Sequence, residues 1–61
     1  GLTTPKQIRF LENKGFQHVG TWQFDEARRM IDRIAGNGWR IPKGIYPVEY
    51  IPPSQQVMFN E

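Results

Sequence analysis

Hydrophobic positions recur at helical spacing in two stretches of this chain and then lose any period. In "TTPKQIRFLENKG" Ile8 and Leu11 form an inward stripe among polar residues. Thr4 is placed as the N-cap and Pro5 as the first helical residue, where a missing N–H costs nothing. Gln7, three residues after Thr4, completes a capping box. Gly15 can take the left-handed conformation that ends a helix, with Phe16 folding back on the last turn. The pattern predicts a helix over 5–14. "QFDEARRMIDRIAGNG" predicts a second over 24–35, with Phe24, Ala27, Ile31 and Ile34 on one face and Met30 and Ala35 flanking it. Asp25 and Glu26 fall in its first turn, where the helix dipole favours negative charge. Gln23 is an unusual cap, but Glu26 can reach back to its N–H.

Beyond "GNG" the segment "WRIPKGIYPVEYIPPSQQVMFNE" carries Pro42, Pro47, Pro52 and Pro53. Each removes a donor and pushes its predecessor to extended geometry, so no helix is expected there. Two short helices do not bury a core alone, so this arm must supply apolar surface. Trp39, Ile41, Ile45 and Tyr46 are expected to pack back, with Trp39 against Ile8, Leu11 and Ile31. Trp22 is placed in the core as well, and Phe16 and Val19 are expected to anchor the loop, leaving Gln17 and His18 at its exposed tips. The last stretch, "SQQVMFNE", is read as fraying or as a short strand or turn. A short two-stranded pairing between loop and arm is a further option. The fold class that follows is small α. Two helices are joined by an extended Gly-bearing loop over 15–23, and a Pro-rich extended C-terminal arm over 39–61 is packed across them.

Length changes this picture little: 61 residues make a single small domain, here 1–61. The chain opens with Gly1 rather than Met, and it is read as a fragment of a longer protein. The absence of cysteine removes disulfides and thiolate metal sites and favours a reducing, cytoplasmic setting. No apolar run approaches the roughly 20 residues needed to span a bilayer, and no signal peptide is visible, so no membrane partner is expected. His18 is the only histidine, and a general base needs an orienting partner or a nucleophile beside it. One histidine with scattered carboxylates is no metal-ligand set, and the glycines follow neither G-x-G-x-x-G nor a P-loop. The chain is therefore read as a non-enzyme with no cofactor, no metal and no small-molecule substrate.

Charge adds more. All eight Lys and Arg lie in residues 1–43 with four acids, giving +4, whereas Glu49 and Glu61 leave the rest at −2. On the second helix, Asp25 with Arg29 and Arg28 with Asp32 stand four apart and can pair. Lys6, Arg9, Lys14, Arg40 and Lys43 have fewer acidic neighbours. With the exposed His18 they form the candidate nucleic-acid-binding set, because clustered cations outside a paired network suit phosphate. The expected function is a non-catalytic accessory binding module for nucleic acid. The alternative is a protein-interaction module in which the arm, especially Tyr50 to Phe59, docks on a partner or a second copy.

The order helix, Lys14-Gly15-Phe16, polar loop, Gly20-Thr21, helix resembles the helix–extended loop–helix DNA-binding motif of the SAP domain over about residues 5–35. The resemblance implies a DNA-processing context. Trp22 stands where that family carries a lysine after Gly-Thr, and the Pro-rich arm has no counterpart. The Thr-Pro-Lys-Gln opening, the Gly-bearing loop and the Asp-Glu-Ala helix also resemble small accessory domains of bacterial and phage DNA-processing proteins.

Overall fold

The computed structural model describes residues 1–56. Its two helices are α1 (Pro5–Asn13) and α2 (Phe24–Gly36), joined by a loop that contains a 3₁₀ turn at Val19–Thr21. A second 3₁₀ turn occupies Pro53–Gln55. The fold is small and all-helical. Among the described residues there is no strand, so no strand pairing joins loop to arm; an isolated antiparallel bridge links Leu2 to Gln23. No helix among these residues is long and apolar enough to cross a membrane.

Each helix starts as its sequence requires. The Gln7 N–H donates to Thr4 Oγ1 at 3.3 Å and the Thr4 N–H to Gln7 Oε1 at 2.9 Å, a closed capping box. At α2 the Gln23 N–H donates to Glu26 Oε1 at 3.0 Å. The segment before α1 braces both loop and second helix: Thr3 Oγ1 donates to the Val19 carbonyl at 2.9 Å, and the Phe24 N–H to the Gly1 carbonyl at 2.7 Å.

α1 ends in a Schellman arrangement. The Gly15 N–H donates to the Glu12 carbonyl and the Phe16 N–H to the Leu11 carbonyl, with Gly15 at φ +105°. Phe16 is thereby folded into the core with Leu11, Val19, Trp22, Ala27, Met30 and Ile34, all buried. α2 turns a slightly different face inward than the spacing alone suggests. Ala27, Met30 and Ile34 are buried, Ile31 is half-buried, and Phe24 at the helix start is exposed.

The residues after α2 depart from expectation in a specific way. Ile41 and Ile45 pack against the core as expected, and Tyr50 joins them. Tyr50 sits edge-on to Phe16 at 5.6 Å between ring centroids and tilted against Trp22 at 5.4 Å, and Pro52 is buried. Tyr46, in contrast, is 68% exposed, and Trp39 is 58% exposed rather than lying against Ile8, Leu11 and Ile31. The cause lies in the backbone. Both Gly38 and Trp39 have left-handed φ, +71° and +64°, and this double turn carries the indole to the outside, against Phe10. The start of "SQQVMFNE" forms a turn rather than fraying. Ser54 N–H and Oγ both bond Glu26, at 2.7 and 2.8 Å, and Gln55 Nε2 bonds Thr21. The rest of that stretch, residues 57–61, lies outside the described residues.

Candidate nucleic-acid interface

Helical geometry places Lys6 one turn before Phe10 on α1, and Lys14, the residue that caps the helix, one turn after it. The Lys14 ammonium stands 5.6 Å from the centroid of the Phe10 ring and donates to the Trp39 carbonyl at 3.2 Å. Phe10 meets Trp39 edge-on, with ring centroids 6.0 Å apart. The C-terminal ends of both helices therefore converge on Phe10, Lys14 and Trp39.

Directly after Trp39, Arg40 and Lys43 line one open concavity of about 670 Å³ together with Gly36, Asn37, Gly38 and Ile41. Asn37 shapes its wall: its side-chain amide donates to the carbonyls of Arg40 at 3.1 Å and Ile41 at 3.4 Å. Among the described residues, no carboxylate lies within 4.0 Å of Lys6, Arg9, Lys14, Arg40 or Lys43; the ion pair there is Arg28–Asp32, both highly exposed. Asp25 and Arg29, which stand at pairing distance in sequence, form no such pair. Arg29 instead lends its charge to Glu26.

The structure joins some of the expected cations and not others. Lys14, Arg40 and Lys43 share the α2 C-terminal corner, with Lys6 one turn before Phe10 on α1. Arg9 is exposed on α1 but lies about 100° around the helix from Phe10. His18 belongs to a separate network. Its backbone is left-handed at φ +56°, a conformation histidine tolerates better than most residues. Its carbonyl accepts from the Thr21 N–H at 2.9 Å and from Thr21 Oγ1 at 2.7 Å, and Thr21 Oγ1 in turn accepts from Gln55 Nε2 at 2.8 Å. The imidazole is exposed at the loop tip and has no bond to the Lys14–Trp39 corner.

One carboxylate is strongly engaged. Burial pushes the Glu26 carboxyl up, but the N–H groups of Gln23 and Ser54, the Ser54 hydroxyl and the Arg29 charge together outweigh it and hold the group below the ordinary range. Glu26 thus serves as an acceptor that ties the Pro53–Gln55 turn to the first turn of α2, not as a proton donor. Among the described residues, no three His, Asp or Glu side chains gather into a group able to hold a metal ion.

Sequence reasoning missed Trp39 as a surface residue. Its signal was present in "GNGW": a glycine in the helix-ending position leaves the following residue free to turn outward as well as inward. No family model, no curated protein and no solved structure matches this chain.

Proposed function

We propose that this chain is a non-catalytic accessory module that binds nucleic acid through its phosphate backbone. In this reading residues 39–56 form an arm that packs across the two helices. The arm's inner residues, Ile41, Ile45, Tyr50 and Pro52, complete the core, while its first residues present cations. The observation that carries the reading is the grouping of Lys14, Arg40 and Lys43 at one corner with no carboxylate within 4.0 Å among the described residues. A helix C-terminus itself attracts cations, but that attraction fades within the last turn. Arg40 and Lys43 lie beyond Gly36, the end of α2, so the dipole leaves most of their charge available.

Phosphate contact is not routed through Gly20-Thr21, the position suggested by the SAP-like order. The Thr21 hydroxyl is already shared between His18 and Gln55, and Trp22, in place of that family's lysine, is 1% exposed. The test is a titration of labelled oligonucleotides at two salt concentrations. Contact with about three to five phosphates gives a log affinity that falls against log salt with a slope of roughly −3 to −4 on a duplex and about −2 to −3.5 on a single strand. Replacing Arg40 and Lys43 with glutamine flattens the slope by about one per lost contact. Absence of binding at low salt overturns the proposal.

A second reading, a protein-interaction module, draws on a different part of the arm. Tyr46, Val48 and Ile51 are 68%, 67% and 52% exposed. The expected docking segment changes accordingly: Tyr50 faces the core, and Phe59 lies outside the described residues. Self-association that survives high salt and is lost in Tyr46→Ser with Ile51→Ser favours this reading.

A further inference from the structure

Trp39 is a large aromatic that the fold leaves exposed and holds in a left-handed backbone conformation. A tryptophan at φ +64° is a backbone outlier, since only glycine, and to a lesser degree Asn, Asp and His, visit that region readily. Such strain persists only where the surroundings over-determine it. Here they do. The Trp39 N–H donates to the Ile34 carbonyl at 2.8 Å, and its carbonyl accepts from the Lys14 ammonium at 3.2 Å. Across the turn, the Asn37 side-chain amide donates to the Arg40 and Ile41 carbonyls that follow Trp39. The ring itself is braced edge-on by Phe10 yet remains 58% exposed. An exposed indole thus stands beside Lys14, and the backbone runs directly from it into the concavity lined by Arg40 and Lys43.

We propose that Trp39 is a stacking platform for an unpaired base, so that the nucleic acid this module takes is single-stranded. The inference rests on the nucleic-acid reading above and names its substrate class. Stacking on an exposed aromatic is available only to a base that has left the duplex, and it tolerates any base because every base has a π-face. The surrounding cations supply the backbone attraction, and the indole supplies the preference for unpaired strands.

The experiment compares single-stranded deoxy- and ribo-oligomers, a duplex of the same phosphate count and an abasic oligomer, each titrated into the full chain and into Trp39→Asn. Asparagine accepts left-handed φ, so this variant retains the turn and its thermal midpoint stays close to or above that of the parent chain. The expected result is about tenfold tighter binding of single strands than of duplex or abasic oligomer, with the difference lost in Trp39→Asn and restored in Trp39→Phe. Bound single strands also shield the exposed indole from acrylamide quenching. Equal binding of all probes, unchanged in Trp39→Asn, overturns the stacking platform but leaves backbone binding intact. No binding of any probe at low salt overturns both.

Discussion

The two helices of this protein end in nearly the same words and with opposite results. Lys14-Gly15-Phe16 closes α1 and Asn37-Gly38-Trp39 closes α2. In each, a left-handed glycine is followed by an aromatic residue whose N–H returns to a carbonyl five residues back, Leu11 in one case and Ile34 in the other. After Gly15 the backbone leaves the left-handed region at once, and Phe16 enters the core, edge-on to Trp22 at 5.5 Å. After Gly38 it does not, and Trp39 is carried outward onto Phe10. One extra left-handed residue separates an aromatic that builds the fold from one that the fold displays. The cations follow the same division, because Arg40 and Lys43 continue from the displayed end.

Of the two aromatics, the buried one carries far more of the stability. Phe16→Ala removes a fully buried ring and costs about 3–5 kcal/mol, enough to unfold most molecules of a domain this small. Trp22→Ala belongs in the same range, and chemical denaturation followed by circular dichroism reads both. If Phe16→Ala melts within a few degrees of the parent chain, the division into a building and a displayed aromatic is wrong.

The two helix-ending glycines differ by less. An alanine at either Gly15 or Gly38 meets a left-handed backbone, at about 1–2 kcal/mol. At Gly15 the added Cβ also lies 3.3 Å from Pro47 Cβ, whereas at Gly38 it meets open space. Gly15→Ala is therefore the more destabilising of the two, and equal midpoints in parallel melts would remove the contact between helix end and arm from the account.

Smaller again is the Glu26–Ser54 link, which concerns the opposite end of α2. Each of its hydrogen bonds is worth about 1 kcal/mol. The Glu26 carboxyl is lowered in the folded chain, so its contribution is fully present above the ordinary carboxyl value of 4.5 and is lost as pH falls through the folded value. Ser54→Ala and Glu26→Gln both lower the midpoint at neutral pH. In Glu26→Gln the loss of stability on acidification below about pH 4.5 is shallower than in the parent chain. An unchanged acid limb would separate Glu26 from acid unfolding.

Much of the architecture was legible before the structure. Thr4 with Gln7, Gly15, and Asn37-Gly38 are local signals, each satisfied by atoms within a few residues, and helix boundaries followed to within one residue. Phe16, Val19 and Trp22 were legible as anchors because the loop has few other apolar residues with which to close over α1 and α2. Which arm residues turn inward was not legible. Pro42, Pro47, Pro52 and Pro53 break any period, so Tyr46 and Tyr50 look alike in sequence, and only the tertiary path over Gly15 and Phe16 selects Tyr50. Size alone assigned Trp39 to the core, whereas its left-handed φ, in a turn braced by the Lys14 and Asn37 hydrogen bonds, carries it outside. The cationic set was legible as residues but not as a place. Nothing in the spacing brings Lys14 beside Arg40 and leaves His18 in another network.

Whether Trp39 is displayed or needed for folding is decided by the stability of Trp39→Asn. Relief of left-handed strain offsets the modest loss of contact with Phe10, so the unfolding free energy is expected to stay within about 1 kcal/mol of the parent chain or to rise. A loss of about 3 kcal/mol or more, the size seen when a buried aromatic is truncated, would return Trp39 to the core and contradict the account.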